Sequence, residues 1–205
     1  MKLILISNPE CFKQEALAIN QLFELGLQHF HLRKPNWTLA QISELLKSID
    51  PVYLPRIVIH DHFQIAVDWG LGGIHFSDRT KGQMEQWINY QGTQSTSSHC
   101  LDELDPLPPQ IDYTFLSPIF PSISKQGYQA NFDFSELSNI LVSFCKAEVI
   151  ALGGIQIDKV QTCSQLGFDG IAALGCIWKE DESLSKMAKR FLNLQKETDR
   201  HHRKF

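Results

Sequence analysis

The chain lacks several things that would each mark a class of protein. No stretch of its 205 residues approaches the roughly 18 consecutive apolar positions of a membrane-spanning helix. Its start, "MKLILISNPE", has one lysine and a short apolar run, with no extended hydrophobic region and no small-residue cleavage site, so it reads as a first strand and not as a signal peptide. Cysteine is sparse and scattered: Cys11, Cys100, Cys145, Cys163 and Cys176 are odd in number, and no two have C-x-x-C spacing. That suits a reducing cytoplasm in which thiols serve as small hydrophobes. Formal charge is only -4, which gives no overall field for nucleic acid or an anionic membrane. Low-complexity segments are absent, and no G-x-G-x-x-G follows the first strand, which disfavours an open doubly wound sheet.

What is present is an alternation. The composition, 43% hydrophobic and 20% charged, is that of one globular domain with a substantial core. Strand-like segments "KLILIS", "HFHLR", "RIVIH", "GIHF", "TQSTS", "YTFLS", "EVIAL" and "GIAAL" are separated by stretches with helical or weakly helical spacing. In "ECFKQEALAINQLFELG", Phe12, Ala16, Ile19, Leu22 and Phe23 share a face and Gly26 stops the run. In "TLAQISELLKSI", Thr38 is the expected N-cap. Eight strand-then-helix units predict parallel pairing through right-handed crossovers, closing as a (β/α)8 TIM barrel. The barrel domain is expected over 1–196, with residues 197–205 a frayed polar tail.

In such a barrel the active site lies at the C-terminal strand ends. Those ends carry His31 and Arg33, then His60 and Asp61, His75 with Ser77 and Asp78, Ser97 and His99, and Ser117 followed by "PIFPSISKQGY" with Lys125. Any one of these is an ordinary strand-end residue. Converging on one mouth, they predict a polar, cation-lined pocket. The last two strands end in "LGGI" and "LGCI", placing Gly153 and Gly175 where backbone N–H groups cradle phosphate, or where a barrel corner simply needs glycine. Asp61 among cations and phosphates suggests Mg²⁺, the alternative being an ion pair with Arg33 or a histidine.

"IHDH...GGIHFSD", "STSSH", "YTFLSPIFPSISK" and "VIALGGI...GFDGIAALGCI" together resemble the thiamine-phosphate synthase and thiazole tautomerase family along nearly the whole chain. The resemblance implies an Mg²⁺-dependent transferase of thiamine biosynthesis. It would join hydroxymethylpyrimidine diphosphate to thiazole phosphate and release pyrophosphate. It further implies that Arg33 and Lys125 hold the pyrophosphate, Asp61 the magnesium, and that Ser97 contacts the leaving group. Ser122, Ser124, Gly153 and the backbone of Leu174 and Gly175 would hold the thiazole phosphate, with His60 replacing the asparagine that contacts the pyrimidine. The strand-two pattern departs from the family's Gln-x-Arg-Glu-Lys: His31 replaces glutamine, Pro35 replaces the terminal lysine, and Lys34 is shifted by one, hence reversed in direction. The family's second metal carboxylate falls on Thr80, with Asp78 two residues earlier as a substitute. The tautomerase's loop histidine falls on Pro118, which favours the synthase. Small phosphorylated substrates are the expected partners, with no nucleic acid or membrane; a homo-oligomer is compatible with the sequence. The competing expectations are a thiazole-isomerising enzyme and a non-catalytic binder of thiazole phosphate or thiamine phosphate.

Overall fold

The computed structural model describes residues 1–121, 132–144, 146–179 and 183–201. The strands are β1 (Lys2–Ile6), β2 (His29–Leu32), β3 (Ile57–Ile59), β4 (Gly73–Phe76), β5 (Thr93–Ser98), β6 (Tyr113–Leu116), β7 (Glu148–Ala151) and β8 (Gly170–Ala173). Each pairs in parallel with the next, and β8 returns to β1, closing the barrel. Most strand positions are buried on both faces, the pattern of a parallel sheet wrapped by helices.

The helices are α1 (Glu15–Glu24), α2 (Leu39–Lys47), α3 (Gln64–Trp69), α4 (Phe134–Ser143), α5 (Val160–Leu166) and α6 (Leu184–Arg200). Thr38 closes a full capping box with Gln41 at the start of α2. α1 begins five residues later than the apolar spacing predicted, because Gln14 takes a left-handed conformation and stops the helix from extending toward Glu10. Two crossovers are not α-helices. The segment predicted as a weak helix after β4 is a 3-10 stretch, Lys81–Trp87, without a side-chain cap or a fully buried face. After β5 only Leu101–Glu103 coils before Pro106, Pro108 and Pro109, which lack backbone donors. At the other end, α6 runs past the expected boundary at 196. Its amphipathic register extends to a buried Thr198, whose hydroxyl donates to the Leu194 carbonyl at 2.8 Å. The tail residues 197–200 are therefore helical.

Two layers of core result. Phe23, Phe30, Phe76, Phe168 and Phe191 fill the space between sheet and helices. Inside the barrel, β1, β6, β7 and β8 contribute an apolar set: Ile4, Ile6, Tyr113, Phe115, Ile150 and Ala172. Strands β2 to β5 contribute His31, His60, His75 and Ser95 instead, all buried. The barrel interior is thus apolar on one side and polar on the other, and the polar side leads up to the mouth.

Candidate active site

Side-chain alternation along β2 decides what its unusual tip does. His29, His31 and Arg33 share one parity, and Lys34 has the other. Lys34 accordingly turns away from the barrel axis. Its Nζ donates to Glu15 Oε1 at 2.5 Å and to the Glu10 carbonyl at 3.0 Å, and it lies 4.6 Å from the Trp37 ring centroid. This cation fastens α1 and belongs to no anion site. Arg33 is different. Its backbone is anchored to Ser7, whose hydroxyl accepts from the Arg33 N–H at 2.9 Å and donates to the Arg33 carbonyl at 3.0 Å. Its guanidinium makes no ion pair among the described residues, so it stands as an uncommitted cation at the mouth.

Below Arg33 the imidazoles are linked. His31 Nδ1 lies 2.9 Å from His60 Nε2, and His31 Nε2 lies 2.5 Å from the Tyr113 hydroxyl across the barrel. His75 Nδ1 meets Ser95 Oγ at 2.9 Å and His75 Nε2 meets Ser97 Oγ at 3.0 Å. The His75 ring also packs against those of His31 and His60, with centroids 5.4 and 4.2 Å away. Burial holds all three imidazoles neutral. It pushes His31 and His60 well below the ordinary histidine value, reinforced by the neighbouring rings, and His75 to about 3, reinforced by Arg33. The same burial raises the Tyr113 phenol. One atom, His60 Nδ1, is buried with no partner.

At the rim, Asp61 lies at the β3 end but is not paired with Arg33 or a histidine. Its two oxygens each lie 3.2 Å from Arg79 Nη2, and Arg79 Nη1 also reaches the Pro35 carbonyl at 3.4 Å. Burial nevertheless raises the Asp61 carboxyl above its ordinary value, outweighing Arg79, His62 and Arg33, so its negative charge is under-compensated. Asp78 faces elsewhere, 3.0 Å from Lys81 and 2.9 Å from His99. The Thr80 hydroxyl accepts from the Ser77 N–H at 2.9 Å and is buried. Among the described residues Asp61 is the carboxylate at the β3 end, a donor of the kind Mg²⁺ takes alongside phosphate oxygens and water. Asp78 is paired with Lys81 and His99 instead.

Opposite, Gly153 and Gly154 follow β7 with φ of 94° and 65°. A Cβ on Gly153 would sit 2.8 Å from Pro118, and one on Gly154 would sit 2.7 Å from the Pro121 carbonyl oxygen. These glycines are thus required by the close approach of the β6 loop, which is zipped to them through Ile119 N–H to the Leu152 carbonyl and Phe120 N–H to the Gly153 carbonyl. Their own N–H groups, and that of Gly175, have no backbone partner among the described residues. The Leu174 carbonyl accepts from Ile177 and Trp178 in a tight turn that leaves Gly175 exposed.

Of the residues expected at the mouth, the structure brings together Arg33, His31, His60, Asp61 and Ser97 on the polar side, with Gly153, Leu174 and Gly175 at the ends of β7 and β8. Ser122, Ser124 and Lys125 lie outside the described residues. Three contributors escaped the sequence: Ser95, Tyr113 and Arg79. Strand parity exposes the first two, since Ser95 matches Ser97 and Tyr113 matches Phe115. Arg79 sits in a loop, where no periodicity operates. Burial pushes the Cys176 thiol up to about 11, which favours the thiol over the thiolate at neutral pH.

Among the described residues, the mouth of this eight-stranded barrel carries an arginine without an ion pair, a rim carboxylate and strand-end N–H groups without a backbone partner, a set suited to holding a small anionic ligand. A family model described as thiamine monophosphate synthase matches residues 3–177. A thiamine-phosphate synthase from Chlamydia caviae is 30% identical over 169 residues, covering 79% of this chain and 74% of that protein. The crystal structure of a thiamine phosphate pyrophosphorylase from Bacteroides thetaiotaomicron shares 31% identity and a TM-score of 0.85, covering 99% of this chain and 100% of the other. One from Pyrococcus furiosus, at 20% identity and TM-score 0.79, shares the fold. The chain belongs to the thiamine monophosphate synthase family.

Proposed function

We propose that the protein condenses hydroxymethylpyrimidine diphosphate with thiazole phosphate to give thiamine phosphate and pyrophosphate. The observation that carries this reading is the Arg33 guanidinium, without an ion pair among the described residues and carried on a backbone that Ser7 anchors, together with N–H groups after β7 and β8 that have no backbone partner among the described residues. Departure of pyrophosphate breaks the carbon–oxygen bond and leaves a pyrimidine-stabilised cation; the thiazole nitrogen then supplies the electron pair for the new bond. Such chemistry needs charge neutralised on the leaving group more than it needs a base. Arg33 fits this role as a two-point ligand for a phosphate oxygen pair. Ser97, hydrogen-bonded to His75, fits the leaving-group contact that the resemblance gives it. Lys125, Ser122 and Ser124 are assigned to pyrophosphate and thiazole phosphate by resemblance. Mg²⁺ would be held by Asp61 and would supply further neutralisation of the diphosphate.

Incubation with both substrates and Mg²⁺, followed by detection of thiamine phosphate and pyrophosphate, tests the reading. Binding of thiazole phosphate without turnover would make the protein a binder. Isomerised thiazole formed without any pyrimidine substrate would make it an isomerase, a reading that the linked imidazoles favour. No helix among the described residues is long and apolar enough to cross a membrane. A cytoplasmic location and small phosphorylated substrates accord with the proposed reaction.

A further inference from the structure

The proposed condensation uses Arg33, Asp61, Ser97 and strand-end N–H groups, and asks little of the three buried imidazoles beyond the hold of His75 on Ser97 and the pyrimidine contact that the resemblance gives His60. We propose that His31, His60 and His75 form a site for a divalent transition-metal ion of the zinc or cobalt class, inside the barrel and distinct from any Mg²⁺ at Asp61. Each residue offers one ring nitrogen, and those nitrogens all lie within 4.8 Å of one another. The ring centroids are 5.1 Å apart for His31 and His60, 5.4 Å for His31 and His75, and 4.2 Å for His60 and His75. Imidazoles sharing one tetrahedral ion, with metal–nitrogen distances of roughly 2.0–2.1 Å, have centroids about 5 Å apart. Two of the three separations already match; the third must open by about 1 Å.

The donor set selects the ion. Neutral imidazoles suit zinc, cobalt, nickel and copper, whereas Mg²⁺ takes oxygen ligands. Metal-binding histidines have their second ring nitrogen hydrogen-bonded away from the ion. Tyr113 holds His31 Nε2 in this way, so its Nδ1 would exchange the contact to His60 for the ion, while both nitrogens of His75 are held, by Ser95 and Ser97, and one of those two bonds gives way on binding. An independent observation is His60 Nδ1. A purely structural polar network closes on itself, but this one leaves a fully buried nitrogen without a partner. His60 therefore has a ring nitrogen to offer at no loss of a hydrogen bond. Neutral imidazoles bind an ion with no net release of protons, and only the tautomers rearrange. Three protein nitrogens leave a fourth position, the pattern of a ligand-accepting site.

The test uses the full chain, stripped with a chelator and titrated with Co²⁺ while visible absorption and heat are recorded. The expected result is one Co²⁺ per chain with intense tetrahedral-type bands, unaffected by excess Mg²⁺ and retained when the tail histidines His201 and His202 are replaced by glutamine. His60→Asn and His31→Gln should each abolish the bands, and Tyr113→Phe should weaken binding about 10–100-fold. Bands that survive His60→Asn, or a parent that takes up no Co²⁺ below millimolar concentration, overturn the proposal. Should the histidine variants fail to fold, the parent and the Tyr113→Phe protein decide: Co²⁺ must raise the melting temperature of the first markedly and of the second less.

Discussion

Lys34 would be the missing lysine of a pyrophosphate grip if sequence position alone counted, and the structure makes it a fastener of α1. Replacing it with methionine keeps most of the aliphatic volume and removes the charge. Its side chain is 0% exposed and that of its partner Glu15 is 4% exposed, so solvent cannot take over. Glu15 Oε2 already lacks a partner, and the substitution would strand the whole carboxylate. Removing one member of a buried pair costs about 3–5 kcal/mol. In a protein of this size that is a fall in melting temperature of about 6–20 °C. Burial already raises the Glu15 carboxyl, with Lys34 opposing, and loss of Lys34 raises it further. A carboxyl raised in the folded state holds its proton more tightly folded than unfolded, so it favours folding in acid and opposes it as pH rises through the folded value. The deficit of Lys34→Met relative to the parent should therefore shrink between pH 7.5 and pH 5, and Glu15→Leu added to Lys34→Met should recover most of it. Urea unfolding of the three proteins at both pH values gives the numbers. A deficit below about 1 kcal/mol, or a stable variant that has lost turnover, would return Lys34 to the active site and refute the assignment.

Arg33→Ala should lower turnover at least about 100-fold with little change in melting temperature, because the guanidinium has no ion-pair partner to lose among the described residues; equal losses of activity and stability would make it structural. Arg79→Ala should free Asp61 and lower the Mg²⁺ concentration needed for half-maximal activity, whereas an Asp61 that serves only as an ion-pair partner would leave the Mg²⁺ response unchanged. The depressed histidines set the acid limit of stability. A group whose folded value is lowered contributes stability above its unfolded value of about 6.5 and loses it as pH falls. Each of His31, His60 and His75 should therefore remove up to about 1.4 kcal/mol per pH unit below that point. Unfolding curves from pH 7.5 to 4 should be flatter for His31→Gln than for the parent, and identical slopes would contradict this.

The barrel itself was legible in the sequence. Period-two and helical spacings repeat along the chain, and parallel crossovers leave few closed topologies for eight such units. Strand parity even sorted Arg33 from Lys34. The two crossovers that failed as helices show the limit: weak apolar spacing in 81–87 and prolines at 106, 108 and 109 favour single turns, and only the closure of the barrel demands that anything cross there. Likewise the glycines after β7 were readable as phosphate-binding, yet the immediate reason for them is Pro118 and Pro121 packing against their backbone, a contact between segments more than 30 residues apart. What the sequence determined by itself was local: periodicity, caps, and which residues stand at strand ends, since these follow from neighbours along the chain. Which of them meet was decided by closure alone. His31 on β2 reaches Tyr113 on β6 only because the sheet curls until the two strands face each other, and Asp61 finds Arg79 instead of Arg33 because a loop, free of any repeat, brings the nearer cation.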